Sequence, residues 1–246
     1  MNTLTYNAGY LAPADNLIVL PMAQKKPKYT RTASPFKSNG QPKATPADPI
    51  RTVEEIHTMQ QYFLDKGQLR NYLLMTFGIS FAIRASDLLE LTFAEFYEAD
   101  GTVREYFTIY EKKTRKRNKI HINSKCREIL QQYYGQLKTK PAPTDSLFIS
   151  RQKDTDGKPK RLTIQQLNNI LKKAAKECGV KGHISSHSLR KTFAYHTIKI
   201  NNGSQDALLA LQYMYNHESI KTTFRYCGIE DDKVAAMRDD IGNLLI

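Results

Sequence analysis

Arg84, Lys113, His187, Arg190, His217 and Tyr226 follow one another along the chain, and together they are the residue types needed to cleave and rejoin a phosphodiester through a tyrosine, without metal or water. Part of the pattern is tight: Arg190 follows His187 by three residues, and Tyr226 follows His217 by nine. A phosphate gathers charge on its nonbridging oxygens as it reacts, so cations fixed beside it lower the barrier. A guanidinium is suited to this because its fork donates two parallel hydrogen bonds and keeps its charge at any working pH. Each member alone has an ordinary explanation. A His-x-x-Arg pair arises by chance, Arg84 could pair with Asp87, and Tyr226 is one of fourteen tyrosines. The run from Lys112 to Lys119, six basic residues in eight, could be a solvated hairpin tip. Order, spacing and local context taken together carry the argument.

These groups need elements to hold them. The 246 residues, 40% hydrophobic, suffice for one sizeable core or for a domain plus a tail, and the net charge of +13 suits a polyanionic partner. Cys126, Cys178 and Cys227 lie far apart without metal-ligand spacing, so neither a disulfide framework nor a metal site is expected. The apolar patch from Leu17 to Met22 is too short to span a membrane, and a cytoplasmic location is expected. Residues 1–50 carry seven of the ten prolines and a cluster of Lys25, Lys26, Lys28 and Arg31, which reads as an extended basic arm or, equally well, as a disordered solvated tail. Residues 51–246 read as one domain.

Thr52 and Glu55 form a capping-box pattern, with Val53, Ile56, Met59 and Phe63 on one helical face. Helices are expected near 68–80 and 85–91. Alternation at Tyr106, Phe107, Thr108, Ile109 and Tyr110, then a basic turn leading to Ile120 and Ile122, predicts a small antiparallel sheet. Cys126, Leu130, Tyr133 and Leu137 mark the next helix; Thr163 and Gln166 cap another, with Ile164, Leu167, Leu171, Ala174 and Cys178 on its face. Between those two helices, residues 151–161 read as a polar loop. His187 and Arg190 open a helix, Ser204 begins another, and Val234, Met237, Ile241 and Leu244 form a last amphipathic stripe within 230–246. The fold class is mixed α/β, mostly helical.

Four segments resemble the tyrosine recombinases, or phage integrases: Phe81 to Leu89 around Arg84, Lys113 to Lys116, His187 to Ala194, and Asn216 to Tyr226. The similarity covers about residues 50–230 and implies that family's catalytic-domain fold. It also implies roles. Arg84 and Arg190 would clamp the phosphate, and Tyr226 would be the nucleophile giving a 3'-phosphotyrosyl link and a free 5' hydroxyl. A free phenol has a pKa of about 10, so cations and a base must help it ionise. His187 would accept a proton or partner the group that does, Lys113 would donate one to the departing 5' oxygen, and His217 would hydrogen-bond the phosphate or position the attacking oxygen. Lys112, Arg115, Lys116, Arg117, Lys119 and Lys191 would contact DNA. No cofactor or metal is implied.

Other expectations also follow from the resemblance. The partner is double-stranded DNA, in a tetramer assembled by exchange of the C-terminal helix, which could equally fold back on its own domain, acting on the nucleoid of a bacterium or on a phage or other mobile element. No separate core-binding domain is read upstream of residue 51, which points to an accessory or directionality factor. Tyr215 and Asn216 stand where the family usually has Leu and Gly, and asparagine tolerates the backbone angles glycine permits there. Two alternatives are kept: a type IB topoisomerase that nicks and reseals one strand, and a catalytically silent DNA-binding regulator.

Overall fold

A computed structural model describes residues 46–153, 155–228 and 230–245, with side chains of the last stretch from residue 235 onward. Most of the expected arm, residues 1–45, and the Val234 side chain lie outside the described residues. The packed unit begins earlier than residue 51. Ile50 is fully buried, its N–H donates to Thr192 Oγ1 at 2.8 Å, and the Asp48 and His183 segments are joined by hydrogen bonds of 3.0 Å (Asp48 N–H to His183 O) and 2.7 Å (His183 N–H to Asp48 Oδ2). A single deeply apolar residue directly after a proline is too brief a signal to extend the boundary.

Helix α1 (Val53–Asp65) starts at the expected capping box, with Thr52 Oγ1 accepting from the Glu55 N–H at 3.0 Å and Glu55 Oε2 accepting from the Thr52 N–H at 3.2 Å. Met59 and Phe63 are buried, whereas Val53 at the helix start stays exposed. Helix α2 (Leu69–Ser80) is apolar on most sides and lies at the centre of the main core. A one-turn helix α3 (Ala85–Leu88) and a 3-10 turn at Phe93–Glu95 lead to the hairpin of β1 (Tyr106–Tyr110) and β2 (Arg117–His121), paired antiparallel with Tyr106 opposite His121 and Tyr110 opposite Arg117. Helix α4 (Ser124–Gly135), capped by Asn123, follows.

The polar loop expected at 151–161 is instead a second hairpin, β3 (Ile149–Lys153) with β4 (Pro159–Arg161). Its strands bury almost nothing, so they carry none of the period-two apolar alternation by which a strand is read. Asp156 and Gly157 are legible only as turn residues; Gly157 sits at φ +77°.

Helix α5 (Ile164–Glu177) packs Leu167, Leu171 and Ala174 inward from its Thr163 and Gln166 capping box, leaving Ile164 exposed. Helices α6 (Ser186–Ile200), α7 (Gln205–Tyr215) and α8 (Ile220–Cys227) enclose a second, smaller core of Ala82, Ala194, Tyr195, Ile198, Ala207, Leu211, Tyr215 and Cys227. Helix α6 joins the two cores. It meets α2 so closely that a Cβ on Gly78 would stand 2.4 Å from Leu189 Cδ1, and only glycine leaves room for that approach. Helix α9 (Glu230–Asn243) closes the chain, with Met237, Ile241, Leu244 and Leu245 exposed.

Candidate active site

Local rules place most of the candidate side chains. After α2 the backbone takes a positive φ of +51° at Ala82, and Arg84 becomes the N-cap of α3 with extended angles. His187 and Arg190 sit in the first turns of α6, behind the Ser185 N-cap. Asn216 ends α7 in the left-handed conformation (φ 54°, ψ 46°), as expected from its tolerance of those angles. That turn projects His217 out of α7, and Ser219 then caps α8 by accepting from the Thr222 N–H. Tyr226 lies in the last turn of α8.

These elements bring Arg84, Arg190, His217 and Tyr226 to one place. Arg190 is buried; its guanidinium carbon lies 4.1 Å from the Tyr215 ring centroid and Nη2 donates to the Tyr215 carbonyl at 3.5 Å. The Tyr215 hydroxyl donates back to the Arg190 carbonyl at 2.8 Å, so α6 and α7 are tied at this residue pair. Rings of Tyr215, His217 and Tyr226 meet edge to face, with centroids 5.3 to 5.5 Å apart. Tyr226 is also approached by Lys191 Nζ, 5.7 Å from its ring centroid. His217 Nδ1 is 3.0 Å from Thr223 Oγ1, which fixes the imidazole from the buried side of α8.

Arg84 forms an ion pair and hydrogen bond with Glu111, a buried carboxylate at the end of β1. Burial opposes the charge on Glu111, but hydrogen bonds from Thr114 and Arg84 and the charges of Arg84 and Arg190 outweigh it and hold its pKa below the ordinary value. Arg84 does not pair with Asp87. That carboxylate accepts the Lys112 N–H at 3.1 Å, joining α3 to the hairpin turn, and its other oxygen is buried without a hydrogen-bond partner among the described residues.

The electrostatics suit proton transfer at neutral pH. Burial, then the charges of Arg190 and Arg84, hold the His217 imidazole below its ordinary pKa. His187 is accessible at the head of α6; the protein around it, with Arg190 and Lys191, lowers its pKa too. Both rings are therefore neutral near pH 7 and able to accept a proton. Burial raises the pKa of the Tyr226 phenol, while Arg190 and Arg84 pull against that rise. Among the described residues nothing hydrogen-bonds the Tyr226 hydroxyl.

The remaining sequence-derived candidates are distributed unevenly. Lys113 is exposed on the turn between β1 and β2 and meets no ion-pair or hydrogen-bond partner among the described residues. Arg115 and Arg117 are likewise exposed on the hairpin. Lys112 pairs with Glu90 at 2.7 Å, Lys116 donates to Asn216 Oδ1, and Lys119 lies 4.3 Å from the Tyr106 ring centroid. Lys191 is half-buried and donates to the Ala47 carbonyl at 2.9 Å. A cleft of ≈ 710 Å³ runs between the hairpin cations Lys116, Arg117 and Lys119 and the α7 face around Gln212 and Tyr213, reaching Glu111 and His217.

Two contributors escape sequence reasoning. Glu111 is the one acid at the head of a basic run, a contrast that could have singled it out. Tyr215 stands out as a departure from the usual family pattern, but nothing local says that its ring carries Arg190.

A family model described as "Phage integrase family" matches residues 51–232. "Probable integrase/recombinase YoeC" of Bacillus subtilis is 33% identical over 80% of this chain and 97% of that protein. "Tyrosine recombinase XerD" of Halalkalibacterium halodurans is 29% identical over 80% of this chain and 62% of its own length. The chain spans about half the length of "Tyrosine recombinase XerC" of Pseudomonas fluorescens, at 28% identity over 69% of this chain and 52% of that protein. Among solved structures, XerA recombinase aligns with a TM-score of 0.58 at 17% identity, over 82% of this chain and 66% of that one. XerH bound to its difH substrate aligns with 0.54 at 19%, over 82% and 59%. Both likenesses are of fold. Among the described residues no helix is long and apolar enough to cross a membrane.

Proposed function

Because the chain belongs to the phage integrase family of tyrosine recombinases, we propose that it is a site-specific recombinase that cleaves and rejoins double-stranded DNA with Tyr226 as the attacking group. The observation that carries this reading is the convergence of Arg84, Arg190 and His217 on the Tyr226 phenol at the edge of a basic cleft. Arg84 and Arg190 grip the nonbridging oxygens of the scissile phosphate. Arg84 keeps its Nη1 bond to Glu111 and turns its remaining N–H groups to the phosphate. The phenol oxygen attacks phosphorus, its proton passes to His187, and the P–O5' bond breaks as Lys113 protonates the leaving oxygen. His217, held by Thr223, hydrogen-bonds the phosphate. The ester stores the bond energy, so a 5' hydroxyl from another strand reverses the step.

Lys112, Arg115, Lys116, Arg117, Lys119 and Lys191 supply the backbone contacts. Lys112, Lys116 and Lys191 must first give up or share their present partners. Met237, Ile241, Leu244 and Leu245, exposed at the end of the chain, support a tetramer on DNA built by passing this segment to a neighbour. An accessory factor assists binding, and the reaction takes place on nucleoid or mobile-element DNA in the cytoplasm. The test is incubation with a library of duplexes nicked near the cleavage position, followed by denaturing electrophoresis. Wild type should give a covalent adduct that maps to Tyr226. An adduct at another residue, or none on any duplex with the Tyr226→Phe control also blank, refutes the assignment.

A further inference from the structure

We infer that Glu111 is a positioning residue: its buried carboxylate is the strut that sets the Lys113 turn against Arg84, so that the proton donor and the phosphate clamp act on the same linkage. This rests on the recombinase reading above and extends it to a residue outside the catalytic set. The turn between β1 and β2 comprises residues 111–116, and Glu111 closes it in three ways. Its N–H donates to the Lys116 carbonyl at 3.0 Å, its carbonyl accepts the Arg115 N–H at 2.8 Å, and its Oε2 accepts the Thr114 hydroxyl at 2.6 Å. The same Oε2 binds Arg84 Nη1, and Oε1 lies 3.5 Å from Asn118 Nδ2 on β2. Lys113 is thus followed in sequence by groups anchored to Glu111, while its own side chain is left exposed.

A second anchor works beside it. Asp87 Oδ1 accepts the Lys112 N–H at 3.1 Å, so the start of the turn is bound to α3, the helix that Arg84 caps. A lysine on a long flexible stem is a poor proton donor unless its backbone is held, since a misplacement of about 1 Å costs about 10²-fold in rate. An acid that merely neutralised Arg84 could lie anywhere around the guanidinium. Glu111 also gathers the turn.

In the step concerned the Tyr226 oxygen forms a bond to phosphorus, the P–O5' bond breaks, and Lys113 passes its proton to the 5' oxygen. With sulfur in place of that 5' bridging oxygen, the leaving group departs as a thiolate and needs no proton. The experiment compares cleavage rates on nicked oxygen and 5'-sulfur duplexes for wild type, Glu111→Gln, Thr114→Val, Lys113→Ala and Arg84→Ala. Glu111→Gln should be about 10- to 100-fold slower on the oxygen duplex and close to wild type on the sulfur duplex. Lys113→Ala should show the same rescue, Thr114→Val a smaller one, and Arg84→Ala none.

Equal slowing of Glu111→Gln on both duplexes would overturn the inference, as would a rate on oxygen equal to or above wild type, the latter meaning that the carboxylate competes with phosphate for Arg84. Should Glu111→Gln fail to fold, Thr114→Val decides: no rescuable defect in it sinks the strut. Failure of the wild type to form any adduct refutes the recombinase reading instead, so the two failures are distinct.

Discussion

Arg190→Met separates what this residue does for the fold from what it does for the reaction. Its guanidinium is buried, with Nε lacking any hydrogen-bond partner among the described residues. Leaving a buried donor unsatisfied costs about 1–3 kcal/mol, and methionine of similar reach removes that cost. Against this, the contact with the Tyr215 ring at 4.1 Å is worth about 0.5–2 kcal/mol. The bond to the Tyr215 carbonyl, at the 3.5 Å limit of hydrogen bonding, adds less than about 1 kcal/mol. The two ranges overlap, so stability should change by no more than about 2.5 kcal/mol in either direction, or about 5–10 °C in Tm. Cleavage should fall by at least about 10²–10³-fold, because the missing donors would face charge that develops only as phosphorus is attacked. Urea or thermal unfolding reads the first quantity, and single-turnover adduct formation on a nicked duplex reads the second. Removing Arg190 also removes a charge that lowers both the His217 and the Tyr226 pKa, so the rising limb of the pH–rate profile should move to higher pH. Loss of folding, or cleavage within tenfold of wild type, would refute the reasoning.

Other perturbations follow from the same geometry. Tyr226→Phe should abolish adduct formation while duplex binding and Tm stay near wild type, since the hydroxyl has no hydrogen-bond partner among the described residues; band-shift and melting measurements check this. Gly78→Ala places a Cβ against Leu189, so urea denaturation should show a loss of about 1–3 kcal/mol, with slower cleavage because Arg190 follows Leu189 on the displaced helix. His187 and His217 are held below the unfolded-state pKa, so each favours the folded form above about pH 6.5 and disfavours it as pH falls through the lowered values. The urea midpoint should therefore decline from pH 7 toward pH 5, and His217→Gln should make that decline shallower. Duplex binding should weaken steeply with salt. Arg115→Ala or Arg117→Ala should reduce the log–log slope by about 0.9 for each phosphate no longer neutralised, and Lys112→Ala by less, because Glu90 already holds that lysine.

Helix starts, the main stripes and the small sheet are legible in the amino-acid sequence because each rests on interactions within a few residues. Thr52 with Glu55 and Thr163 with Gln166 cap their own helices, and Tyr106 to Tyr110 alternates because one face packs inward. The Asn216 turn is legible for the same reason, since the left-handed angle is a property of the residue. The order Arg84, His187, Arg190, His217 and Tyr226 belongs to the sequence too, and family membership confirms the resemblance it suggested.

Which charge faces which is decided only in three dimensions. Arg84 could have paired with Asp87 three residues away, yet it meets Glu111, 27 positions on, because the hairpin turn is folded against α3. Lys112 and Lys116 sit in one basic run, and tertiary contacts with Glu90 and Asn216 set them apart from Lys113, Arg115 and Arg117. The β3–β4 hairpin stays hidden for the opposite reason, because a solvated strand leaves no apolar period to read. Local capping and periodicity are short-range and therefore written in adjacent residues. The electrostatic partners of a buried cation depend on which distant surfaces packing brings together, and no spacing along the chain records that.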